Sequence, residues 1–247
     1  MSSLYQRDLA YVHATAFESI TRGAAPEIVR RLQSSPAPIR RVIDIGFGAG
    51  PLAEALVNAG FEVTGVDLSS ELLDLARARV PAAHLMRASA YDVEIRGYDA
   101  IVAVGEPLTY HEDISSSDLR VARFLEHAAN VLPPGGMLIF DVIGLGEPSL
   151  AGKTWASGED WAVLVETTEN QPDRTLLRNI ETFRRVGETY RRSREVHSVR
   201  LFDIEQFDQQ LISYGFQTET ARSYGAQPLP PRRHAFFATR QASALVT

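Results

Sequence analysis

The sequence predicts an α/β fold built on a mostly parallel sheet, and three observations carry the prediction. Residues 41–60 have the pattern of a short apolar strand, a glycine-rich loop and a helix. Residues 61–67 repeat the strand, and a second helical pattern follows it. The runs 98–104 and 137–142 are largely apolar, as expected of strands that helices cover on both faces of a parallel sheet.

The composition is that of an ordinary globular domain. The chain has 247 residues, of which 45% are hydrophobic and 23% are charged, and this length suits one domain with a substantial core. It contains no cysteine, which excludes disulfides and thiolate chemistry. The formal net charge of −6 argues against a general nucleic-acid binder. No stretch has the apolar run of a signal peptide or of a membrane span, so we expect a cytoplasmic protein.

The loop after the first strand has the features of a site for a nucleotide-type ligand. Gly46, Gly48 and Gly50 let the backbone turn sharply and approach a ligand closely. A dinucleotide fingerprint would place its third glycine where this chain has Pro51, and the Gly-Lys-Ser/Thr ending of a P-loop is absent. Asp44 would be awkward beside a pyrophosphate. It suits a ligand that carries an ammonium and a sulfonium, because opposite charges attract.

An acid at the end of the second strand indicates a ribose contact. Asp67 lies 17 residues after Gly50 (67 − 50), about where the ribose-binding acid of such a unit falls. Its carboxylate can accept hydrogen bonds from both vicinal hydroxyls of a ribose. Ser69 or Ser70 is a candidate N-cap for the helix that follows.

Three separated motifs resemble those of the class I S-adenosylmethionine-dependent methyltransferases. They are the loop 44–50, the strand end 66–69 and the turn 132–136, and the resemblance covers roughly residues 40–145. It implies S-adenosylmethionine as the cofactor, with contacts from Asp44, Gly46, Phe47, Gly48, Gly50, Asp67, Leu68, Ser89, Ala90 and Gly105. The family commonly has an acid where Ser89 stands. The alternative is a Rossmann-like domain that binds NAD or no ligand.

The resemblance also implies the complete fold, a Rossmann-like seven-stranded methyltransferase sheet with its last strand antiparallel and helices on both faces. We expect a helical cap at residues 1–38, a cofactor-binding core at 39–145, an inserted antiparallel lid region at 146–201, and completion of the core sheet at 202–247. The inserted region has the pattern of three strands separated by turns.

The N-terminal cap has helical apolar spacing in two stretches, and Pro26 would open the second helix. In the resembling family such helices often lie over the cofactor. Tyr11, His13 and Phe17 would then contact its methionine end, whereas amphipathic packing is the simpler interpretation of each residue taken alone.

The loop at residues 105–113 should face the transferring methyl group, because ligands of open α/β sheets bind beyond the carboxyl ends of the strands. Methyl transfer from a sulfonium needs alignment and exclusion of water, and a base only when the acceptor is protonated. His111 is the candidate base, since its ordinary pKa lies near neutrality; a structural loop histidine is the alternative. Glu106 and Tyr110 are candidate acceptor contacts. The contiguous triplet 111–113 is weak support for a metal site, and we predict none.

The last strand of the inserted region is rich in arginine. Residues 183–200 contain six arginines and two glutamates. Arg192 and His197 are candidate contacts for an anionic group of the acceptor, because arginine matches carboxylate and phosphate oxygens in pairs. His197 or Glu195 is a second candidate base. Ordinary cross-strand ion pairs on a solvated face are the alternative.

We therefore expect methyl transfer from S-adenosylmethionine to a small-molecule acceptor. The arginine-rich strand motivates one alternative, a protein or RNA methyltransferase. The other alternative is a cofactor-binding module that has lost its chemistry.

Overall fold

The computed structural model describes residues 4–111 and 117–242. Its helices are α1 (Arg7–Ala16), α2 (Ser19–Gln33), α3 (Pro51–Asn58), α4 (Ser70–Arg79), α5 (Asp118–Val131) and α6 (Ile204–Ser213). Its strands are β1 (Arg41–Ile45), β2 (Glu62–Asp67), β3 (His84–Arg87), β4 (Ala100–Ala103), β5 (Met137–Ile143), β6 (Gly152–Ser157), β7 (Trp161–Asn170), β8 (Thr175–Val186), β9 (Thr189–Arg200), β10 (Phe216–Ala221), β11 (Ser223–Tyr224), β12 (Gln227–Pro228) and β13 (Arg233–Arg240). A short 3₁₀ turn, Pro107–Thr109, follows β4.

The main sheet has seven strands in the order β10-β13-β5-β4-β1-β2-β3. The five strands from β1 to β5 are parallel to one another. Strand β13 lies between β10 and β5 and is antiparallel to both. This confirms the predicted sheet with its antiparallel last strand. The order places the carboxyl ends of β4, β1 and β2 side by side, and the functional residues are found at that edge.

Helices cover both faces of this sheet, which explains the apolar strand sequences. Every residue of β4 and of β5 is buried. On β5, Leu138 and Phe140 pack with α5 and α6, whereas Met137 and Ile139 pack with α2 and α3. Alternate residues of a strand thus pack in two different cores. The strand sequences therefore do not alternate between apolar and polar residues.

The inserted region is a four-stranded antiparallel sheet in the order β6-β7-β8-β9. The prediction of three strands was wrong, because it omitted β6. This edge strand has almost no buried residue and therefore lacks the apolar alternation that indicates a half-buried strand. Leu9 and Val12 of α1 pack on the inner face of the sheet, against Trp161, Val163 and Ile180.

The helical cap consists of α1 and α2, but Pro26 does not open the second helix. It lies inside α2, which begins at Ser19. A proline in that position removes one N–H donor from the helix, and packing compensates for the loss. Ala25, Ile28 and Leu32 bury the inner face of α2 in the core shared with α3. No helix among the described residues is long and apolar enough to span a membrane.

Candidate functional site

A cavity of about 270 Å³ opens at the carboxyl ends of β1, β2 and β4. The floor is formed by strand ends and the loops that follow them, including Asp44, Gly46, Gly48, Asp67, Ala90 and Gly105. The roof is formed by the cap, including Leu4, Tyr5, His13, Phe17, Glu18 and Thr21. A ligand in this cavity would therefore be enclosed between the main sheet and the N-terminal residues.

The glycine-rich loop forms the central part of the floor. The backbone N–H groups of Gly46 and Phe47 both donate to the carbonyl oxygen of Val66, at 2.8 and 3.0 Å, so the loop folds back over β2. Gly46 has a φ of +69°, and a Cβ atom placed on it would lie 2.3 Å from Cβ of Pro107. Only glycine fits at this position, because a side chain would be both strained and overlapping.

Phe47 lines the cavity, but its ring belongs to the protein core. The side chain is buried, and Cβ atoms added to Gly50 or Gly65 would overlap it. The Phe47 ring therefore holds the glycine loop against β2. The part of Phe47 left to face a ligand is its backbone. Gly50 is the N-cap residue before α3, has a left-handed conformation and does not line the cavity.

Asp67 connects the glycine-rich loop to the start of α4 through two hydrogen bonds. Its Oδ2 accepts from the N–H of Gly48 and its Oδ1 from the N–H of Ser69, each at 2.8 Å. Burial raises the pKa of Asp67, and the backbone hydrogen bonds oppose that rise in part. The Ser69 hydroxyl accepts from the N–H of Leu72, so Ser69 is the N-cap of α4, and it donates to the carbonyl of Tyr5 at 2.8 Å. One serine thus links the cofactor floor to the roof.

Asp44 is the second acid of the floor. Its side chain is buried, and burial together with the nearby charge of Asp67 raises its pKa well above the usual range. A cationic ligand would favour the charged forms of both acids, because it would offset the cost of desolvation and their mutual repulsion. The floor is therefore suited to a positively charged ligand.

The loop after β4 is fixed by Asp141, which β5 places beneath it. Asp141 accepts from the N–H groups of Gly105 and Glu106, each at 2.9 Å, and from the Tyr224 hydroxyl at 2.9 Å. From its place at the end of an apolar strand, Asp141 could line the substrate cavity or cap a loop, and its carboxylate caps the loop after β4. Tyr224 had no predicted site role, because its contact with Asp141 spans 83 residues of sequence and leaves no local pattern.

Glu106 lines the cavity, but its carboxylate forms ion pairs with two arginines. Its side chain is 3% exposed and pairs with Arg178 of β8 and, at 2.7 Å, with Arg233 of β13. Burial would raise the pKa of Glu106, yet the two guanidinium charges outweigh burial and lower it to about 2. Glu106 therefore joins the inserted sheet to the main sheet.

The cap and the loop after β4 meet in an aromatic wall that we define as His13, Tyr5 and Tyr110, and the inserted sheet lies behind it. The Tyr5 and Tyr110 hydroxyls are 3.0 Å apart, and the ring of His13 lies edge-on to Tyr5 with centroids 4.9 Å apart. All three residues line the cavity. Behind the wall, His197 is 3.0 Å from Glu195 and 5.1 Å from the Tyr5 ring.

Twelve of the sequence-predicted residues line the cavity: His13, Phe17, Asp44, Gly46, Phe47, Gly48, Asp67, Leu68, Ala90, Gly105, Glu106 and Tyr110. Ser89 stands one residue aside, where its hydroxyl accepts from the N–H of Tyr91 at 3.0 Å. The binding roles of these residues stay predictions.

Besides Gly50 and Ser89, the predicted residues outside the cavity lining are Tyr11, His111, Arg192, Glu195 and His197. His111 is anchored to β9, with its N–H donating to the carbonyl of Ser198 at 2.8 Å and its Nδ1 3.1 Å from the Ser198 hydroxyl. His197 is buried behind the aromatic wall. Arg192 is on the outer face of the inserted sheet, 61% exposed and paired with Glu181.

The placement of Arg192 corrects its prediction, and the reason is geometric. Arg192 and His197 are five positions apart on one strand (197 − 192), an odd spacing that puts their side chains on opposite faces. Both could not face the same acceptor. The predicted triplet at 111–113 extends past the described residues, since Glu112 and Asp113 fall outside them. Within residues 4–111 and 117–242, no group of three or more side chains is arranged to hold a metal ion.

Comparison with known proteins points to one family. Residues 42–136 match the model of the methyltransferase domain family. A putative methyltransferase of Bacillus subtilis is 28% identical over 84% of this chain and 86% of its own length. A solved S-adenosylmethionine-dependent methyltransferase from Clostridium acetobutylicum shares the fold, with a TM-score of 0.77 and 18% identity over 94% of this chain and 98% of its own. A sugar N-methyltransferase from Streptoalloteichus gives a TM-score of 0.75 and 20% identity over 98% and 94%.

Proposed function

We propose, for a chain that belongs to the class I S-adenosylmethionine-dependent methyltransferases, that the acceptor of the methyl group is a small molecule. The observation that carries the proposal is the enclosure of the cavity. Residues of the cap roof it, and the aromatic wall closes the side toward the inserted sheet. An acceptor must then fit beneath the roof, as a small molecule does and a folded macromolecule does not. The likeness to a sugar N-methyltransferase supports the same class of acceptor.

The floor supplies the contacts that S-adenosylmethionine needs. The methionine end, with its ammonium and sulfonium, would lie over Asp44 and over the backbone at Gly46. A side chain at Gly46 would fill the space that the ligand needs there. The ribose hydroxyls would donate to Asp67, since each of its oxygens keeps a second lone pair beside the backbone hydrogen bond it accepts. The adenine would lie beside Leu68 and Ala90.

When bound, S-adenosylmethionine supplies an electrophilic methyl group on its sulfonium. The contribution of the protein is to hold the acceptor in line with that methyl group and to exclude water. The roof and the aromatic wall would contribute to the second task, because they cover the cavity from above and along one side.

The arginine-rich strand gives little support to an RNA or protein acceptor. Arg191 pairs with Asp8, Arg192 with Glu181, and Arg200 with Asp118, so these guanidinium groups are engaged within the chain. A surface that recognises nucleic acid needs cations that are available to phosphates.

Calorimetric titration with S-adenosylmethionine, S-adenosylhomocysteine and NADH tests the cofactor assignment. We expect the first two ligands to bind and NADH not to bind. Asp67→Ala should lose at least about tenfold in affinity, because it removes the ribose contact and two backbone anchors of the floor. The matched control is Asp74→Ala, since Asp74 is an exposed acid of the neighbouring helix α4. Binding of NADH alone would contradict the assignment.

The class of acceptor is tested with tritium-labelled S-adenosylmethionine and a cell extract that is dialysed after the reaction. The proposal requires the transferred label in the dialysable fraction. Label retained with protein or RNA, and released by protease or ribonuclease, would show that the acceptor is a macromolecule.

A further inference from the structure

Three lining residues of the cavity have a buried polar atom without a hydrogen bond, His13, Glu106 and Arg233. Oε2 of Glu106 and Nε of Arg233 have ion-pair partners, whereas Nδ1 of His13, on α1 in the roof, has neither kind of partner in any part of the chain that the structure describes. Buried polar atoms of folded proteins almost always have hydrogen-bond partners, and each exception needs an explanation. An exception in the wall of a ligand cavity is explained when the ligand is the partner.

The neighbours of His13 have partners. Tyr5 and Tyr110 share one hydrogen bond through their hydroxyls, and His197 pairs with Glu195 behind them. Within the aromatic wall, the imidazole of His13 is therefore the group with a buried polar atom that has no protein partner. Because the wall is built from the cap and from the loop after β4, it lies on the acceptor side of the proposed cofactor site.

The charge state of His13 limits what it can do. Burial lowers its pKa to about 4, with Glu18 opposing the shift and His197 adding to it. The ring is neutral at pH 7, with one nitrogen that donates and one that accepts. Such a weak base does not remove a proton from an ammonium group, but its free nitrogen can accept a hydrogen bond from a neutral amine.

We propose that His13 binds the methyl acceptor, with a ring nitrogen that accepts a hydrogen bond from the N–H of the nucleophilic amine. This inference rests on the proposed function and adds the acceptor class and the residue that orients it. An amine is the favoured acceptor, because its neutral form attacks without a base, and the neutral imidazole of His13 is too weak a base to activate an alcohol or phenol. The amine loses any ammonium proton to water before it reacts. Its lone pair forms the new bond to the methyl carbon, the carbon–sulfur bond pair stays on sulfur, and the methylated ammonium later releases a proton to water.

Two inhibitors separate an acceptor contact from a cofactor contact. S-adenosylhomocysteine lacks the transferable methyl group, whereas sinefungin carries an amine on the carbon that replaces the sulfonium, directed to where the acceptor would be. Their dissociation constants are to be measured by calorimetry for wild type, His13→Phe and His13→Gln. The matched control is His127→Phe, because His127 is 43% exposed on α5 and far from the cavity lining.

We expect His13→Phe to weaken sinefungin by about tenfold and to leave S-adenosylhomocysteine unchanged, because only the first ligand donates a hydrogen bond to the ring. His13→Gln should keep most of the sinefungin affinity, since its amide oxygen is an acceptor, and His127→Phe should change neither constant. Equal weakening of both ligands would mean that His13 holds the cofactor or the fold, and no weakening would mean that it holds neither; each result overturns the inference.

Thermal unfolding of the variants identifies any loss of the fold, and His13→Leu, which likewise has no hydrogen-bond acceptor, carries the test if His13→Phe is unstable. If wild type binds neither inhibitor, the proposed function fails together with the inference. If wild type binds both and His13→Phe binds both equally well, the inference fails alone.

Discussion

The two sheets of the molecule are built on different principles. The main sheet is buried on both faces, and its strands bring their ends together through backbone pairing. The inserted sheet is buried on one face by α1, and its outer face exposes Trp155, Leu164 and Arg192. The inserted sheet contacts the residues around the cavity through individual side chains. Arg178 contacts Glu106, and Glu195 accepts from the N–H of Gln6.

This difference indicates that the proposed cofactor side and the proposed acceptor side of the cavity are encoded differently in the sequence. The cofactor floor comes from contacts that are short in sequence, since Asp67 binds Gly48, 19 residues away. The acceptor side comes from contacts such as Tyr5 with Tyr110, 105 residues apart, and Arg191 with Asp8, 183 apart. Replacing one residue of the floor should harm binding directly, whereas replacing one bridge should loosen the acceptor side.

The largest effect is expected from Glu106→Gln, which removes the charge that joins the two sheets. Arg178 and Arg233 would remain buried without their carboxylate, and breaking a buried ion pair costs about 3–5 kcal/mol. Urea unfolding measures the loss. Glu181→Gln is the control, because Glu181 pairs with Arg192 on the outer face of the same sheet and should change the midpoint little. Equal changes in the two variants would contradict the joining role of Glu106.

The same residue gives a dependence on pH. The folded pKa of Glu106 is about 2, below its ordinary value of 4.5, so its ionised form stabilises the folded state. This contribution is fully present above pH 4.5 and is lost as the pH falls towards 2. The free energy of unfolding should therefore fall more steeply for wild type than for Glu106→Gln over that range. Parallel curves would show that Glu106 is not the titrating group.

A smaller effect, confined to the cofactor floor, is expected from Gly46→Ala. The added Cβ would overlap Pro107, whereas a Cβ on Gly60, whose φ is +93°, would meet nothing within 4 Å. Both alanines carry the strain of a left-handed residue, about 1–2 kcal/mol. The difference between the two variants therefore isolates the overlap. Gly46→Ala should weaken S-adenosylhomocysteine at least about tenfold, and Gly60→Ala should leave its affinity unchanged.

The smallest effect is expected from Arg191→Ala, which removes one bridge between the roof and the inserted sheet. Arg191 pairs with Asp8 of α1. Hydrogen exchange should become faster in residues 7–16 and stay unchanged in β4 and β5. Arg192→Ala is a stringent control, because the adjacent side chain is on the other face and should alter neither exchange nor cofactor affinity. A change with Arg192→Ala would restore its predicted place in the acceptor site.

The sequence was sufficient for the main sheet and the glycine loop because their signals are local. Apolar strands, left-handed glycines and an acid at a strand end reflect the conformation of the residues themselves. The acceptor side gave no such signal. His111 was favoured as a base for its ordinary pKa, whereas the structure anchors it to Ser198 outside the cavity lining. His13 and Phe17 were expected near the methionine end of the cofactor because helices of the resembling family lie over it, and both line the cavity, whereas Tyr11 does not.

Errors in the cap and in the inserted region have the same origin. Pro26 is tolerated inside α2 because Ile28 and Leu32 pack in the core, a gain that local propensity does not contain. Strand β6 is held by its pairing with β7 and contributes almost no buried side chain. In both places, tertiary contacts decide the structure.

The roof also sets a condition on the rate of the reaction cycle. We expect S-adenosylhomocysteine to leave the cavity as the first helix lifts, which would open the bonds from Asp8 to Arg191 and from Tyr11 to Asp160. Because the Arg191 side chain is 38% exposed, dissolved ions screen its attraction to Asp8. Added salt should then shorten the residence time of the product. Stopped-flow measurement of product dissociation over a range of potassium chloride concentrations would reveal this gate, and a rate independent of salt would exclude it.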